Sequence, residues 1–388
     1  MKIALLSYST KPRGGVVHTL ALAEALARAG GDVTVWTLGR GGDSEFFRPV
    51  DPVVKVVIVP FPDGGPSEPV GKRILRSIAV LRAAFMPGDY DVVHAQDCIS
   101  ANAVGRCVRT VHHLDRFTTP ELAACHERAI ISPYAHICVS AAVAAEVRAG
   151  WGIRPTVIPN GVDAARFAAA GGDDPAAVAA RSRWRGELGR YILAVGGIEP
   201  RKGSLDLLEA YAMVRSADPG VSLVIAGGET LFDYRDYRAQ WEARAAALFG
   251  SGPDGMPTVL GPVAHDELPS LVAAAGAFCF PSVKEGFGLA AMEALAAGVP
   301  VVTRDLPVLR EVFRDAVTYA ASPPGFAAAL RACLGGPGGF GDPGGPGARR
   351  RAGQALAGQY SWDAAAAAHL RFYALHADRT AGADTRRG

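Results

Sequence analysis

The chain has 388 residues, more than one ordinary core needs and enough for two domains of ~150–200 residues each. Hydrophobic residues make up 49% and charged residues 20%, and the net charge of +2 gives no concentrated basic surface for nucleic acid. The first apolar run, at 3–6, is too short for a signal peptide, and no run approaches the ~20 residues of a membrane span. We therefore expect a cytoplasmic protein with no nucleic-acid partner.

Short apolar runs alternate with longer amphipathic segments through the first part of the chain. The apolar runs predict strands at 2–7, 33–38, 54–59, 91–94, 108–112, 137–140 and 156–158. The longer segments predict helices at 16–29, 72–85, 120–131 and 141–149. This alternation is typical of βαβ units, so we expect a parallel sheet with both faces covered.

A second alternating series follows the Pro159-Asn160-Gly161 turn. It predicts strands at 191–195, 221–226, 258–260, 277–281 and 299–302, and helices at 204–216, 235–248, 266–275 and 289–297. A Gly/Pro-rich surface loop at 335–347 precedes two further helices, at 349–359 and 362–376. The fold class is therefore α/β, with two doubly wound domains in tandem. We place their bounds at 1–165 (N-terminal domain), 166–188 (interdomain linker), 189–360 (C-terminal domain) and 361–388 (C-terminal helix and tail).

The most informative stretch follows the strand predicted at 277–281. Glu285, Gly286 and Gly288 lie in a turn, and a helix is predicted from Leu289. Glycines there allow backbone N–H groups to approach a ligand, and a helix N-terminus favours anionic oxygens. This turn therefore predicts an anion-binding site.

Glu293 lies in that helix, eight residues after Glu285, among Leu, Ala and Met. A buried ionised carboxylate must find hydrogen-bond donors. The paired hydroxyls of a ribose would supply them. The alternative is that both acids meet arginines of the protein itself.

A basic turn, Gly-Gly-Ile-Glu-Pro-Arg-Lys-Gly at 196–203, directly follows the first strand of the second domain. Lys202 as a point charge and Arg201 as a bidentate fork would neutralise a diphosphate. The alternative is an ordinary solvated turn.

The first domain has a Gly14-Gly15 turn between its first strand and first helix, followed by His18. Such a turn is similar to a phosphate cradle, although it is neither G-x-G-x-x-G nor a P-loop. His94 and Cys98 have the spacing of a pair of metal ligands. Because no second pair completes such a site, no metal is expected.

Adjacent histidines, His112 and His113, stand at the end of another strand of this domain, with Asp115 after them. A histidine there could contact a sugar hydroxyl or polarise a leaving phosphate. The alternative is that one ring is packed and the other exposed.

Together these stretches resemble the retaining GT-B glycosyltransferases of glycosyltransferase family 4. The resemblance covers nearly the whole chain: the Gly-Gly turn, the strand ending at His112, V-I-P-N-G-V-D at 157–163, K-G at 202–203 and E-G-F-G-L-x-x-x-E at 285–293. It implies two Rossmann-like domains facing a central cleft. The C-terminal helix could pack back across the first domain.

The resemblance also implies an activity: transfer of a sugar, with retention, from a nucleoside-diphosphate sugar to an acceptor hydroxyl. Catalytic roles then go to His112, Glu285, Lys202 and Arg201. The expected donor-binding residues are Gly14, Gly15, Arg201, Lys202, Glu285, Gly286, Phe287, Gly288, Leu289 and Glu293. The expected acceptor side has His18, His113 and Asp115.

In that family the residue matching Glu293 binds ribose hydroxyls, that matching Glu285 contacts the donor sugar, and the basic pair holds the diphosphate. Many members also carry an arginine where this chain has Gly197, so Arg201 would supply the missing charge. We expect the donor on the second domain and the acceptor entering through the first, with front-face attack by a hydroxyl that loses its proton to the leaving phosphate.

The partners that follow are a nucleotide-sugar co-substrate, with a UDP-sugar favoured over a GDP-sugar, and a small-molecule or glycoside acceptor. No cofactor is expected, and the chain would be a monomer or homodimer. Two other functions use the same architecture: a sugar-nucleotide 2-epimerase and a non-catalytic sugar-nucleotide-binding protein. The basic amphipathic segment 71–85 could also touch anionic lipid, but a helix covering the sheet is favoured over this peripheral membrane contact.

Overall fold

The computed structural model describes the chain except residues 63, 66–67, 116–118, 229–233, 251, 253–254, 336–346 and 385–388, and describes the backbone alone at 377–384. The chain forms two compact units. The first comprises Met1–Gly161 with Ser361–Gly388, and the second comprises Val162–Tyr360.

The first unit contains a seven-stranded parallel sheet in the order β3-β2-β1-β4-β5-β6-β7. Its strands are β1 (Lys2–Leu6), β2 (Asp32–Arg40), β3 (Lys55–Phe61), β4 (Val92–Ala95), β5 (Val108–Val111), β6 (Ala135–Cys138) and β7 (Thr156–Val157). The central strands are buried on both faces, as expected of a parallel sheet covered by helices.

The helices of the first unit are α1 (Gly14–Arg28), α2 (Val70–Ala84), α3 (Cys98–Val104), α4 (Pro120–Ile131), α5 (Ala141–Trp151) and α15 (Trp362–Asp384). The last of them belongs to the first unit, so the C-terminal helix does return to the first domain. It packs against α1, and Ala366, Phe372 and Tyr373 join the core of this unit.

The second unit contains a six-stranded parallel sheet in the order β10-β9-β8-β11-β12-β13. Its strands are β8 (Arg190–Val195), β9 (Val221–Ala226), β10 (Thr258–Gly261), β11 (Ala277–Phe280), β12 (Val301–Arg304) and β13 (Thr318–Ala320). Its helices are α6 (Ala164–Ala170), α7 (Pro175–Leu188), α8 (Ser204–Ala217), α9 (Arg235–Phe249), α10 (Leu268–Ala274), α11 (Leu289–Ala296), α12 (Pro307–Phe313), α13 (Pro323–Leu334) and α14 (Ala348–Ala357). The expected α/β class with two parallel-sheet domains is confirmed.

The division between the domains differs from the sequence expectation at 166–188, which we predicted as a linker. The structure has α6 and α7 there, both packed on α10 within the second unit. Asp163 accepts a hydrogen bond from the backbone of Arg166, and Asp174 caps α7 in the same way. Capping acids and alanine, the best helix former, make this segment helical. Most of the loop predicted at 335–347 lies outside the described residues.

Each sheet has one point at which the strand order reverses, between β1 and β4 in the first and between β8 and β11 in the second. Ligands of doubly wound sheets bind beyond the carboxyl ends of the strands at this switch point. The two switch points therefore direct attention to the turns after these four strands. Within the described part of the chain, no helix is long and apolar enough to cross a membrane.

Candidate functional site

The basic turn after β8 is held against the segment after β11. Pro200–Lys202 forms one turn of 3-10 helix, and Gly203 follows in the left-handed region at φ 64°. A Cβ at Gly203 would collide with the carbonyl oxygen of Pro281. The backbone N–H of Val283 donates to the carbonyl of Arg201 at 2.8 Å. The two turns at the second switch point thus form one contiguous surface.

Both predicted basic residues converge on Glu285. Lys202 Nζ donates to Glu285 Oε1 at 2.6 Å, and Arg201 Nη1 donates to the same oxygen at 3.0 Å. The Glu285 side chain is 11% exposed and that of Lys202 is 20% exposed, so water screens these charges only in part. In this structure Glu285 pairs with basic side chains of the protein itself, which is the alternative raised for it above. Those partners are also the two cations expected to hold a diphosphate.

Glu199, for which no role was predicted, lies in the same turn and is 5% exposed. Its Oε1 accepts from Arg201 Nη2 at 3.1 Å, so it fixes the second arm of the guanidinium. Nothing in the spacing distinguished this acid from an ordinary turn residue. A small cavity is lined by Gly196, Gly197 and Lys202 among others, so the position at which the resemblance implies an arginine lies at the site.

The glycine turn before α11 has a geometry that only glycine tolerates at Gly288. Its φ is 95°, and a Cβ would lie 2.8 Å from Cζ of Phe313. Phe287 is 3% exposed and meets the Tyr360 ring edge-on at 5.2 Å. This packing anchors the turn, while α11 begins at Leu289 without a side-chain cap. Its first N–H groups therefore depend on other acceptors.

Glu293 lies on α11, half-buried among fully buried neighbours. Burial raises the pKa of Glu293 to about 7; the Arg166 guanidinium opposes this shift, and Asp163 adds to it. No side chain among the described residues donates a hydrogen bond to its carboxyl group. The ion pair with arginine raised as the alternative is therefore not formed, and the carboxylate pays for desolvation without a donor.

In the first unit the Gly-Gly turn, His18 and His112 come together. A Cβ at Gly15 would lie 3.8 Å from Cδ2 of His112, and α1 begins at Gly14 without a side-chain cap. The His18 and His112 rings meet edge-on with centroids 4.7 Å apart. His18 Nδ1 donates to Oδ1 of Asn160 at 2.9 Å, which links α1 to the turn after β7.

Two further histidines, His94 and His369, extend this group, with ring centroids 5.7 Å apart. Burial lowers the pKa of His369 to about 4 and those of His18, His94 and His112 well below the ordinary value. The four rings are therefore neutral near pH 7. Within the described residues, no group of three or more His, Cys, Asp or Glu side chains is arranged to hold a metal ion.

The remaining predicted acceptor-side residues form their own pair. His113 Nε2 lies 3.3 Å from Oδ1 of Asp115, and both side chains are partly exposed, at 29% and 37%. His112 is the more enclosed of the adjacent histidines, since its Nε2 is buried. Of the two adjacent histidines, His112 is thus more buried and His113 is partly exposed, which is close to the alternative raised above. His112 also lies beside the Gly-Gly turn.

The amino-acid sequence is similar to those of known glycosyltransferases. The model of the family described as "Glycosyl transferases group 1" matches residues 182–334, and that of "Glycosyltransferase Family 4" matches residues 12–166. A curated relative, the D-inositol 3-phosphate glycosyltransferase of Salinispora arenicola, is 31% identical over 369 residues, covering 82% of this chain and 79% of its own.

Solved structures share the fold. Sucrose-phosphate synthase from Thermosynechococcus elongatus matches with a TM-score of 0.74 at 20% identity, covering 97% of this chain and 98% of its own. Anabaena HepE, solved in complex with UDP and glucose, matches with a TM-score of 0.71 at 19% identity, covering 96% of this chain and 99% of its own. At these identities the likeness establishes the GT-B fold of two parallel-sheet domains.

Proposed function

Because the chain belongs to the glycosyltransferases of group 1 and family 4, we propose that it moves a sugar, with retention, from a nucleoside-diphosphate sugar to an acceptor hydroxyl. The acceptor is a small molecule or glycoside. The observation that carries this proposal is the convergence of Lys202 and Arg201 on Glu285 at the second switch point. Two cations beside glycine turns match the charge and shape of a diphosphate.

In the proposed donor complex, the diphosphate replaces Glu285 as the partner of Lys202 and Arg201. A diphosphate carries more charge than one carboxylate, so the exchange gains Coulomb energy at a partly buried site. Glu285 is then released to accept a hydrogen bond from the donor sugar. As the bond to the sugar breaks, the same two cations stabilise the charge that accumulates on the departing phosphate.

Glu293 is the proposed ribose ligand. A carboxylate without a donor and with a raised pKa is suited to accept hydrogen bonds from the two adjacent ribose hydroxyls. The hydroxyls supply the donors that the described side chains do not, which returns the pKa of Glu293 towards its usual range. Nucleotide binding would therefore release a proton near neutral pH.

On the first domain, the neutral His112 ring is proposed to contact the donor sugar. Burial lowers the pKa of His112, so it presents a hydrogen bond rather than a charge. The acceptor hydroxyl attacks from the face that the leaving group departs from, and the leaving phosphate oxygen takes its proton. The new glycosidic bond then has the configuration of the donor.

For the donor base we favour uridine, with guanosine next. Support comes from HepE, which was solved with UDP and glucose in the same fold. A nuclear magnetic resonance experiment tests the reaction: the enzyme is incubated with UDP-glucose or GDP-mannose and a panel of polyol and sugar acceptors, and the anomeric proton of the product is followed.

A product with the donor's anomeric configuration supports the proposal, and the inverted product refutes retention. Conversion of the nucleotide sugar to its epimer without acceptor identifies the epimerase alternative. Nucleotide-sugar binding without turnover under any acceptor identifies the binding protein. Lys202→Ala should slow product formation, because it removes a cation from the proposed diphosphate site. Lys55→Ala, at an exposed lysine on β3, is its matched control and should not.

A further inference from the structure

Arg201 is held between two acids, one on each arm of its guanidinium group. Nη1 donates to Glu285 Oε1 at 3.0 Å and to the backbone carbonyl of Lys284 at 3.3 Å. Nη2 donates to Glu199 Oε1 at 3.1 Å. The Glu199 and Glu285 side chains are 7% and 11% exposed, so water screens both pairs only in part. The guanidinium group is therefore oriented from both sides.

The two acids differ in what the proposed donor does to them. Lys202 Nζ donates to the same oxygen of Glu285 at 2.6 Å, so this carboxylate shares both cations of the turn. The donor diphosphate would take its place on both. Glu199 pairs with the other arm of Arg201, which that exchange leaves untouched. Glu285 is thus the partner that is exchanged, and Glu199 is the partner that remains.

Backbone hydrogen bonds fix the position of Glu199. Its N–H donates to Ser204 Oγ at 3.3 Å, and its carbonyl accepts from the Lys202 N–H at 3.1 Å and from Ser204 Oγ at 3.4 Å. Glu199 and Ser204 are each 5% exposed. These bonds involve the backbone of Glu199, so a substitution of its side chain leaves them in place. The carboxylate therefore projects from a fixed point of the turn.

An acid beside a diphosphate site is unfavourable by charge alone. Its carboxylate repels the phosphates, and the repulsion is strong where screening is incomplete. A fixed arginine offsets this repulsion. Immobilising a free arginine side chain on a ligand costs about a tenfold factor in affinity, because rotamer freedom is lost. Since Glu199 has already immobilised Arg201, the diphosphate binds a preorganised cation.

We propose that Glu199 is a positioning residue, which keeps Arg201 directed at the diphosphate after the donor has displaced Glu285. This inference rests on the proposed function, because it takes the diphosphate to bind at Lys202 and Arg201. One arm of the guanidinium stays on Glu199 while the other passes from a carboxylate oxygen to a phosphate oxygen. The same arm then stabilises the charge that develops on the departing phosphate.

A double-mutant cycle tests this role. Calorimetry measures binding of UDP and GDP to the full-length wild type, Glu199→Ala, Arg201→Ala and the double variant, and the tighter nucleotide is the probe. We expect Glu199→Ala to bind it about 10-fold more weakly. Arg201→Ala should bind it about 10–100-fold more weakly. In the Arg201→Ala background, loss of the Glu199 side chain should weaken binding no further, because only its repulsion of the phosphates is removed.

Glu199→Gln keeps an oxygen that accepts from Arg201 Nη2. It should weaken binding only about threefold, because a neutral hydrogen bond is roughly half as strong as a charged one. Should Glu199→Ala fail to fold, Glu199→Gln takes its place in the cycle. The matched control is Glu209→Gln, which breaks a partly exposed acid–arginine pair of the same unit, where Arg244 Nη2 donates to Glu209 at 3.0 Å. Arg28→Gln, at an exposed arginine of α1, is the control for Arg201→Ala. Both controls should bind as the wild type does.

Affinity that is unchanged or higher in Glu199→Ala overturns the inference, because repulsion alone would then describe this acid. A loss of the same size with and without Arg201 also overturns it, because Glu199 would then act by another route. In both cases nucleotide binding and sugar transfer by the wild type leave the proposed function standing. If neither UDP nor GDP binds the wild type, the proposed donor site and this inference fall together.

Discussion

Replacing Glu293 by glutamine is predicted to stabilise the protein while weakening nucleotide binding. Burial raises the pKa of Glu293 from 4.5 to about 7, so the folded state resists its ionisation. The wild-type protein therefore loses stability as pH rises from the unfolded-state value towards 7. At about 1.4 kcal/mol per pH unit, the full cost above pH 7 is about 3 kcal/mol.

Glu293→Gln has no such cost, because glutamine is neutral at every pH. The variant should match the wild type near pH 4.5 and exceed its stability by about 3 kcal/mol near pH 8. Urea denaturation of both proteins at the two pH values measures this difference, and other titrating groups cancel because both proteins share them. Glu242→Gln, at an exposed position of α9, is the control and should change little.

The same substitution should weaken binding of the preferred nucleoside diphosphate about 10–100-fold, because a neutral amide replaces a charged acceptor of two hydroxyls. Calorimetry checks this. A variant less stable than wild type at pH 8, or one whose stability difference is the same at both pH values, would refute the physical account of Glu293. Unchanged nucleotide affinity would remove it from the ribose site.

Three further predictions concern other parts of the two domains. Lys202→Ala should lower kcat/KM about 100-fold, or roughly 3 kcal/mol of transition-state stabilisation, while Lys55→Ala leaves it unchanged in steady-state assays. Gly288→Ala should cost about 2–4 kcal/mol through its positive φ and its collision with Phe313, whereas Gly186→Ala, in open space on α7, should stabilise by about 0.5–1 kcal/mol in thermal denaturation. Burial lowers the pKa of His369 from 6.5 to about 4, so the wild type should lose about 3 kcal/mol as pH falls through that window, and denaturation of His369→Gln should show a smaller loss.

Much of the fold could be predicted because its signal is local. Alternating apolar runs located every strand of the first sheet and five of the second, and the structure adds β13 (Thr318–Ala320). The linker prediction at 166–188 failed to anticipate two helices. Alanine, glycine and aspartate are common in loops as well as at helix ends, but here Asp163 and Asp174 act as caps and the alanines propagate the helices.

Residues of the candidate site could be predicted where a charged side chain directly follows a buried strand. Lys202 and Glu285 stood out because a charge follows a buried strand, and the structure brings them within 2.6 Å. Glu199 and His369 gave no such signal. Glu199 is recognisable only by its contact with Arg201. His369 joins the histidine group from α15, although it follows His112 by more than 250 residues in the sequence. Tertiary contacts of that kind leave no trace in local spacing.

The most direct test of the donor site is a calorimetric titration of the wild type, Lys202→Ala and Arg28→Gln with UDP, GDP, ADP and dTDP. One nucleoside diphosphate, UDP first, is predicted to bind the wild type and Arg28→Gln alike. Lys202→Ala is predicted to bind it about 10–100-fold more weakly, because a charged hydrogen bond to the diphosphate is lost. If no nucleotide binds the wild type, or if Lys202→Ala binds as tightly as the wild type, the donor site does not lie at this turn.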